Sequence, residues 1–204
     1  MSKLKIECAR RQLGTALALY LQDQDPVSVH CLAGGGCELI EHYAKKAGAR
    51  PMSYYILDAL PGLKIEAFSK VFRAHWTAFK HATHQRGGKE REDDKLLSLF
   101  TDEQNDAALY VGWHDYAVTV RAMPFEAALQ QAWFVALHLE ELEFDPQYRE
   151  PYETRFPNLR SKSRAEQKCM LKDAIAKARA GEDEELMNHP AIEKRPLILD
   201  WQFA

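Results

Sequence analysis

Between Leu63 and His84 the chain reads LKIEAFSKVFRAHWTAFKHATH, with no proline or glycine to interrupt it. Ile65, Phe68, Phe72, Trp76 and Phe79 recur three and four residues apart, the rhythm of a helix that buries one face. Each aromatic ring buried there is worth roughly 2–3 kcal/mol of transfer free energy, so the spacing predicts one long central helix over residues 63–84. At about 100° per residue, Arg73, Thr77, Lys80 and His84 fall on one flank. His81 lies roughly opposite Phe72, and His75 borders the apolar face. That flank reads in two ways. It is either a solvated basic edge, or a surface for an anion or nucleic acid, with imidazoles that titrate near neutral pH.

The rest of the chain is punctuated in the same helical idiom. Residues 4–22 carry Ile6, Leu13, Leu17 and Tyr20 on one face. Asp25 followed by Pro26 is an N-cap with proline at the first helical position, and a second helix runs from there to about Lys46. Gly48 and Pro51 end it. A short connection between two helices of this length predicts an antiparallel hairpin. Gly34, Gly35 and Gly36 fall inside that second helix, where each costs about 1 kcal/mol relative to alanine. They imply close approach by a neighbour, a local helix defect, or a ligand-binding loop. No Lys-Ser/Thr follows them, so they are not a P-loop, and no strand precedes them as a dinucleotide site requires.

Short or buried helices are expected at 52–60, 103–121 and 125–139, and a basic surface helix at 161–180. Residues 84–94 read as a charged, mobile loop. Residues 140–157, with Pro146, Pro151 and Pro157, read as an irregular connection. The terminal stretch AIEKRPLILDWQFA is apolar enough to require packing on the body or on a partner chain. No stretch alternates in the manner of a strand, so the expected class is all-α: a compact helical bundle core over 1–140, with a C-terminal extension over 141–204 packing on it.

Composition narrows the function classes. A formal net charge of −3 over 204 residues rules out a polycation, so any nucleic-acid contact has to come from a local patch. The four cysteines, Cys8, Cys31, Cys37 and Cys169, form no C-x-x-C pair. With no apolar leader at the N-terminus and no run of about 20 apolar residues, they read as reduced thiols of a cytoplasmic protein without a membrane contact.

Catalytic patterns are sparse. There is no H-E-x-x-H and no Glu-x-x-His pair, and His81 with His84 would need ligands from a second helix to hold zinc. No G-x-S-x-G elbow is present. Cys31 and Cys37 read as small apolar residues, and His138 as a satisfied core histidine. His30 sits near a helix N-terminus, where the neutral ring is favoured. His114 adjoins Asp115, but successive residues on a helix diverge. The carboxylates Glu140, Glu141, Glu143 and Asp145 read as a solvated acidic end or as a counterpart of the basic flank. No cofactor and no metal is called for.

Two strings carry a resemblance. DPVSVHCLA from Asp25 to Ala33, and AFKHA from Ala78 to Ala82, resemble a set of uncharacterised bacterial cytosolic helical proteins over roughly Leu4 to Leu139. The resemblance implies a role for Lys80 and His81. More remotely, a helical hairpin followed by a helix ending in a basic-plus-His motif resembles HEPN domains. These are compact, often dimeric helical bundles, many of them metal-independent RNases in which an Arg neutralises phosphate and a His a few residues later does acid–base chemistry. Here Arg73 and His81 have seven residues between them, wider than that motif, so Lys80-His81 would have to substitute.

Three functions are therefore carried forward. One is a helical interaction or ligand-binding module, expected as a homodimer, that meets RNA or another anionic ligand through Arg73, Thr77, Lys80 and His84. The second is a HEPN-type RNase with His81, Lys80 and Arg73 as candidate catalytic residues. The third is a metal-binding bundle using His81 and His84.

Overall fold

In the computed structural model, residues 2–84, 87–141 and 146–200 are described, and among them the chain is all-helical. The helices are α1 Lys3–Leu21, α2 Pro26–Lys46, α3 Met52–Ala59, α4 Ile65–Phe72, α5 Ala74–Lys80, α6 Asp94–Leu97, α7 Gln104–Val120, α8 Phe125–Leu137, α9 Pro146–Arg155, α10 Arg164–Arg179 and α11 Glu184–Asn188, with a 3-10 turn at Leu159–Ser161. The described residues contain two isolated β-bridges, Thr83 with Glu90 and Met123 with Ile192. They group into two compact units, residues 2–119 with Asp200, and Val120–Leu199.

The first unit is built on the α1–α2 hairpin. Asp25 caps α2, its carboxylate accepting the Ser28 N–H at 2.8 Å, with Pro26 in the first turn. Gly48, at φ 71, turns the chain out of the helix. Leu13, Leu17, Val29, Ala33 and Ile40 are wholly buried. The three glycines do not break α2. A β-carbon at Gly34 would stand 2.6 Å from the Trp76 indole, one at Gly35 2.9 Å from Gln12 Oε1, and one at Gly36 2.7 Å from Leu13 Cγ. Close approach requires glycine at Gly34, against a rigid ring, and at Gly36, against a branch point and a backbone carbonyl; at Gly35 the neighbour is the tip of a flexible side chain. Gly112 of α7 does the same, 2.5 Å from Leu13 Cδ2.

The single central helix expected over 63–84 is instead two. The regular pattern breaks at Arg73, the C-cap of α4 and N-cap of α5, and ends at Lys80. Nothing in local propensity demands the break. What the fold supplies there is a carboxylate, Glu41, to which the Arg73 side chain is drawn. Of the five apolar residues of the stripe only Trp76 is buried; Ile65, Phe68, Phe72 and Phe79 are half-buried. Residues 84–94 also gain order: His84 N–H donates to the Lys89 carbonyl at 2.8 Å and Arg91 N–H to that of Ala82 at 3.0 Å, closing a short hairpin. Gln85 and Arg86 lie outside the described residues.

In the second unit α8 packs on α9 and α10, so α8, grouped by sequence with the first 140 residues, has its helical partners after residue 140. The buried Trp133 donates its indole N–H to the Gln167 carbonyl at 2.9 Å. A capping box joins Ser163 and Glu166 at the head of α10. The expected irregular connection over 140–157 contains a helix, α9, with Pro151 inside it. Proline there forfeits one helical hydrogen bond; the buried Phe156, whose N–H continues the pattern to Tyr152 O at 2.9 Å, anchors the helix at its end. Residues 142–145, including Glu143 and Asp145, are outside the described set. Near the C-terminus Met123 N–H bonds Ala191 O and Glu193 N–H bonds Met123 O, so that stretch packs on its own unit. Its last four residues, 201–204, are not described.

Candidate functional site

The site residues expected on the central helix are divided by the break at Arg73. Arg73 points to α2, where its Nη2 donates to Glu41 Oε2 at 2.7 Å. Thr77 is half-buried in the next turn. Lys80, at the last position of α5, is exposed, and its ammonium stands 4.2 Å from the centroid of the Trp76 ring. His81 follows as the C-cap, half-buried, and His84 is exposed in the hairpin. Among the described residues no hydrogen bond, ion pair or ring contact joins the side chains of any two of Arg73, Thr77, Lys80, His81 and His84. Arg73 turns to Glu41, while Lys80 and His81 end α5 and His84 lies in the hairpin that follows.

Some cations of the first unit are held by carboxylates, while among the described residues the exposed Lys46, Lys64, Lys70 and Lys95 are not. Arg50 pairs with Asp58, Lys45 and Arg73 with Glu41, Lys89 with Glu92 and Arg91 with Asp93. Among the described residues no carboxylate pairs with Lys80, His81 or His84. The cation of Lys80 is supported only by the indole face, a contact of about 0.5–1 kcal/mol at an exposed site. The position at the end of α5 also suits cations, since the last carbonyls carry the negative end of the helix dipole.

A polar cluster that the sequence reading missed lies where α2, α3, α4 and α7 meet. Glu41 uses both oxygens: Oε1 accepts from Lys45 Nζ at 2.8 Å and Ser53 Oγ at 2.9 Å, and Oε2 accepts from Arg73. Burial on its own raises this carboxyl, but the hydrogen bonds from Lys45 and Ser53 and the charges of Lys45 and Arg73 outweigh it and hold it below the ordinary glutamate value. Asp115, 1 % exposed, accepts the Met52 N–H at 2.7 Å and the His114 Nδ1–H at 3.1 Å. The two successive residues His114 and Asp115 thus do meet, against the helical expectation, because the imidazole turns back onto the carboxylate that caps α3. The cavity between Glu41 and Asp115, bordered by Cys37, Phe68 and Phe72, measures about 10 Å³, room for one water and no larger ligand. The cluster fastens α3 and α4 to the hairpin. Only the i, i+4 pair Glu41–Lys45 was a signal of it in sequence.

The remaining candidates resolve structurally. Cys37 is buried, with its thiol directed to the Ala108 carbonyl at 3.2 Å, and burial pushes its pKa up beyond reach. Burial also raises Cys31, with the Asp25 charge acting the same way. His138 is not in the core; it ends α8, 38 % exposed, with Nδ1 3.9 Å from Glu141. Glu140 and Glu141, at the end of α8, pair with Arg160 of the same unit, Glu141 at 2.9 Å. Among the described residues no three His, Cys, Asp or Glu side chains converge as metal ligands, and no helix is long and apolar enough to cross a membrane.

The chain matches no protein-family model, no curated protein and no solved structure.

Proposed function

We propose that the first unit is a helical binding module whose Lys80, His81 and His84 receive an anionic partner, with RNA the partner class that the HEPN resemblance suggests. One observation carries the reading: Lys80 is exposed with its ammonium 4.2 Å from the centroid of the Trp76 ring, and among the described residues no carboxylate pairs with it, with His81 or with His84. A lysine held upright on a tryptophan face loses little side-chain freedom when it meets a phosphate, which lowers the cost of binding. Thr77 and Arg73 act behind this edge, Arg73 by holding the α4–α5 joint to α2 through Glu41.

A ribonuclease with His81 as acid–base catalyst would have to neutralise phosphate with Lys80, since Arg73 is engaged by Glu41. The free state of all four cysteines supports a reducing compartment such as the bacterial cytoplasm.

Fluorescence anisotropy of a labelled single-stranded RNA, titrated at several salt concentrations, tests the binding role. Salt-sensitive binding weakened at least tenfold in Lys80→Glu, and unchanged in Lys177→Glu of the second unit, is the expected result. Binding indifferent to both substitutions overturns it. RNA cleavage in EDTA that disappears in His81→Ala would move the assignment to the ribonuclease.

A further inference from the structure

A pair of imidazoles that the proposed edge does not use meets where α5 packs on α2, His30 buried and His75 half-buried. His30, 4 % exposed, has its ring centroid 6.1 Å from that of His75, 6.0 Å from Phe79 and 5.2 Å from Phe100, each edge to face. His75 lies 5.2 Å from Phe100 in turn. The hydrogen bonds assign the protons. Asn105 donates through Nδ2 to the Pro26 carbonyl at 3.1 Å, which leaves its Oδ1 to face His30 as an acceptor at 2.9 Å, so His30 Nδ1 carries hydrogen. His75 Nε2 is 3.1 Å from the Leu96 carbonyl, which can only accept, so that nitrogen carries hydrogen as well. Each neutral ring is therefore already matched by the tautomer that the site demands.

A second proton on the His30 ring finds no such match. The carboxylates nearest in the chain are committed elsewhere: Asp25, at the head of α2, to Ser28, and Asp106, beside Asn105 on α7, to the Tyr20 hydroxyl at 2.6 Å. On α5 the cation is Lys80, over Trp76; before Phe100, Lys95 and Asp94 are exposed. None of these hydrogen-bonds either imidazole. The phenyl faces offer a new cation about 0.5–2 kcal/mol, less than the several kcal/mol that burial of an unpaired charge costs.

We propose that the buried His30 is a pH-sensitive latch: neutral, it closes α5 and the Phe100 segment onto α2 through its ring contacts with His75, Phe79 and Phe100, and protonated in mild acid it releases them. Burial, in fact, holds His30 below the ordinary imidazole value, against the Asn105 hydrogen bond and with His75 acting in the same direction as burial. The sign follows. The released form binds its proton at the ordinary value of about 6.5 and the closed form only at lower pH, so the closed form is fully favoured above 6.5 and loses ground as pH falls toward the closed-state pKa. The ratio of closed to open changes by up to tenfold per pH unit for one proton. This inference does not depend on what the Lys80 edge binds.

Hydrogen exchange from pH 7.5 to 5.0, corrected for the intrinsic pH dependence of exchange, tests it. The α10 amides of the second unit serve as the internal reference, and His30 ring resonances are followed by NMR. Expected are a loss of α5 protection approaching tenfold per pH unit below 6.5, unchanged α10 protection, and a His30 ring that titrates below 6.5. His30→Gln, which keeps a donor for Asn105 and removes the titration, should flatten the α5 profile. If His30→Gln does not fold, the wild-type resonances still decide. A His30 ring that titrates at or above 6.5, or α5 protection that is constant to pH 5.0, overturns the latch.

Discussion

The indole of Trp76 rests directly on Gly34, so that a β-carbon at Gly34 would lie 2.6 Å from both Cδ1 and Cγ of the ring. The contact fixes how close α5 comes to α2, and through the same indole it positions the ammonium of Lys80. A helix-weakening glycine on α2 is thus the condition for the position of the exposed cation one turn beyond Trp76 on α5.

The three glycines should respond differently to alanine. Alanine gains about 1 kcal/mol of helix propensity at any of them. At Gly34 it meets a rigid ring and at Gly36 the Leu13 branch point and the Ala9 carbonyl, 2.7 and 3.3 Å away; overpacking of that kind costs about 1–3 kcal/mol. At Gly35 it meets only the tip of Gln12, which can turn aside. Urea denaturation should show Gly34→Ala and Gly36→Ala less stable than wild type, and Gly35→Ala equal to it or more stable by up to about 1 kcal/mol.

The Glu41–Arg73 pair should be coupled. Arg73→Met strips one oxygen of a largely buried carboxylate, whose desolvation cost of about 1–3 kcal/mol then stands uncompensated. Glu41→Gln in the same chain should recover part of the loss. A double-mutant cycle by thermal unfolding reads this as a non-zero coupling; additive effects would mean that the pair does not hold α4 to the hairpin.

Acid sensitivity should come in two separate windows. Glu41 is held below its ordinary value of 4.5, so its contribution is present above 4.5 and is lost as pH falls through the lower folded-state pKa. Asp25, lowered from 3.8 by the Ser28 hydroxyl and N–H, contributes in the same sense at still lower pH. Stability curves of Glu41→Gln should be shallower below pH 4.5 and unchanged in the His30 range above it.

The four thiols should separate by reactivity. Cys169 is exposed, Cys8 and Cys31 are half-buried and Cys37 is buried. With an aromatic disulfide reagent at pH 8, one thiol should react fast and Cys37 only on unfolding, since neither access nor thiolate is available to it. Fast labelling of Cys37 would mean that α7 opens readily from α2.

Much of the architecture was legible because it is local. The Asp25–Pro26 start, the Gly48 stop and the apolar stripes of α1 and α2 state their elements in the order of residues, and the all-helical class follows from them. The candidate site was legible only in part. Lys80 and His84 are exposed as their flank suggests, but Arg73, from the same flank, turns inward to a glutamate 32 positions earlier. Pro151 reads as a helix breaker and is carried inside α9.

What the order of residues determined here is periodicity and punctuation, which act within a few residues of chain: where helices begin, which faces are apolar, which cations share a side. What only the tertiary structure decided is which of those cations find a carboxylate and which imidazoles lose their water. Glu41 meets Arg73, and His30 meets His75, through space and not along the chain. The charge state of a side chain depends on its neighbours within a few ångströms, and those are set by how the helices pack.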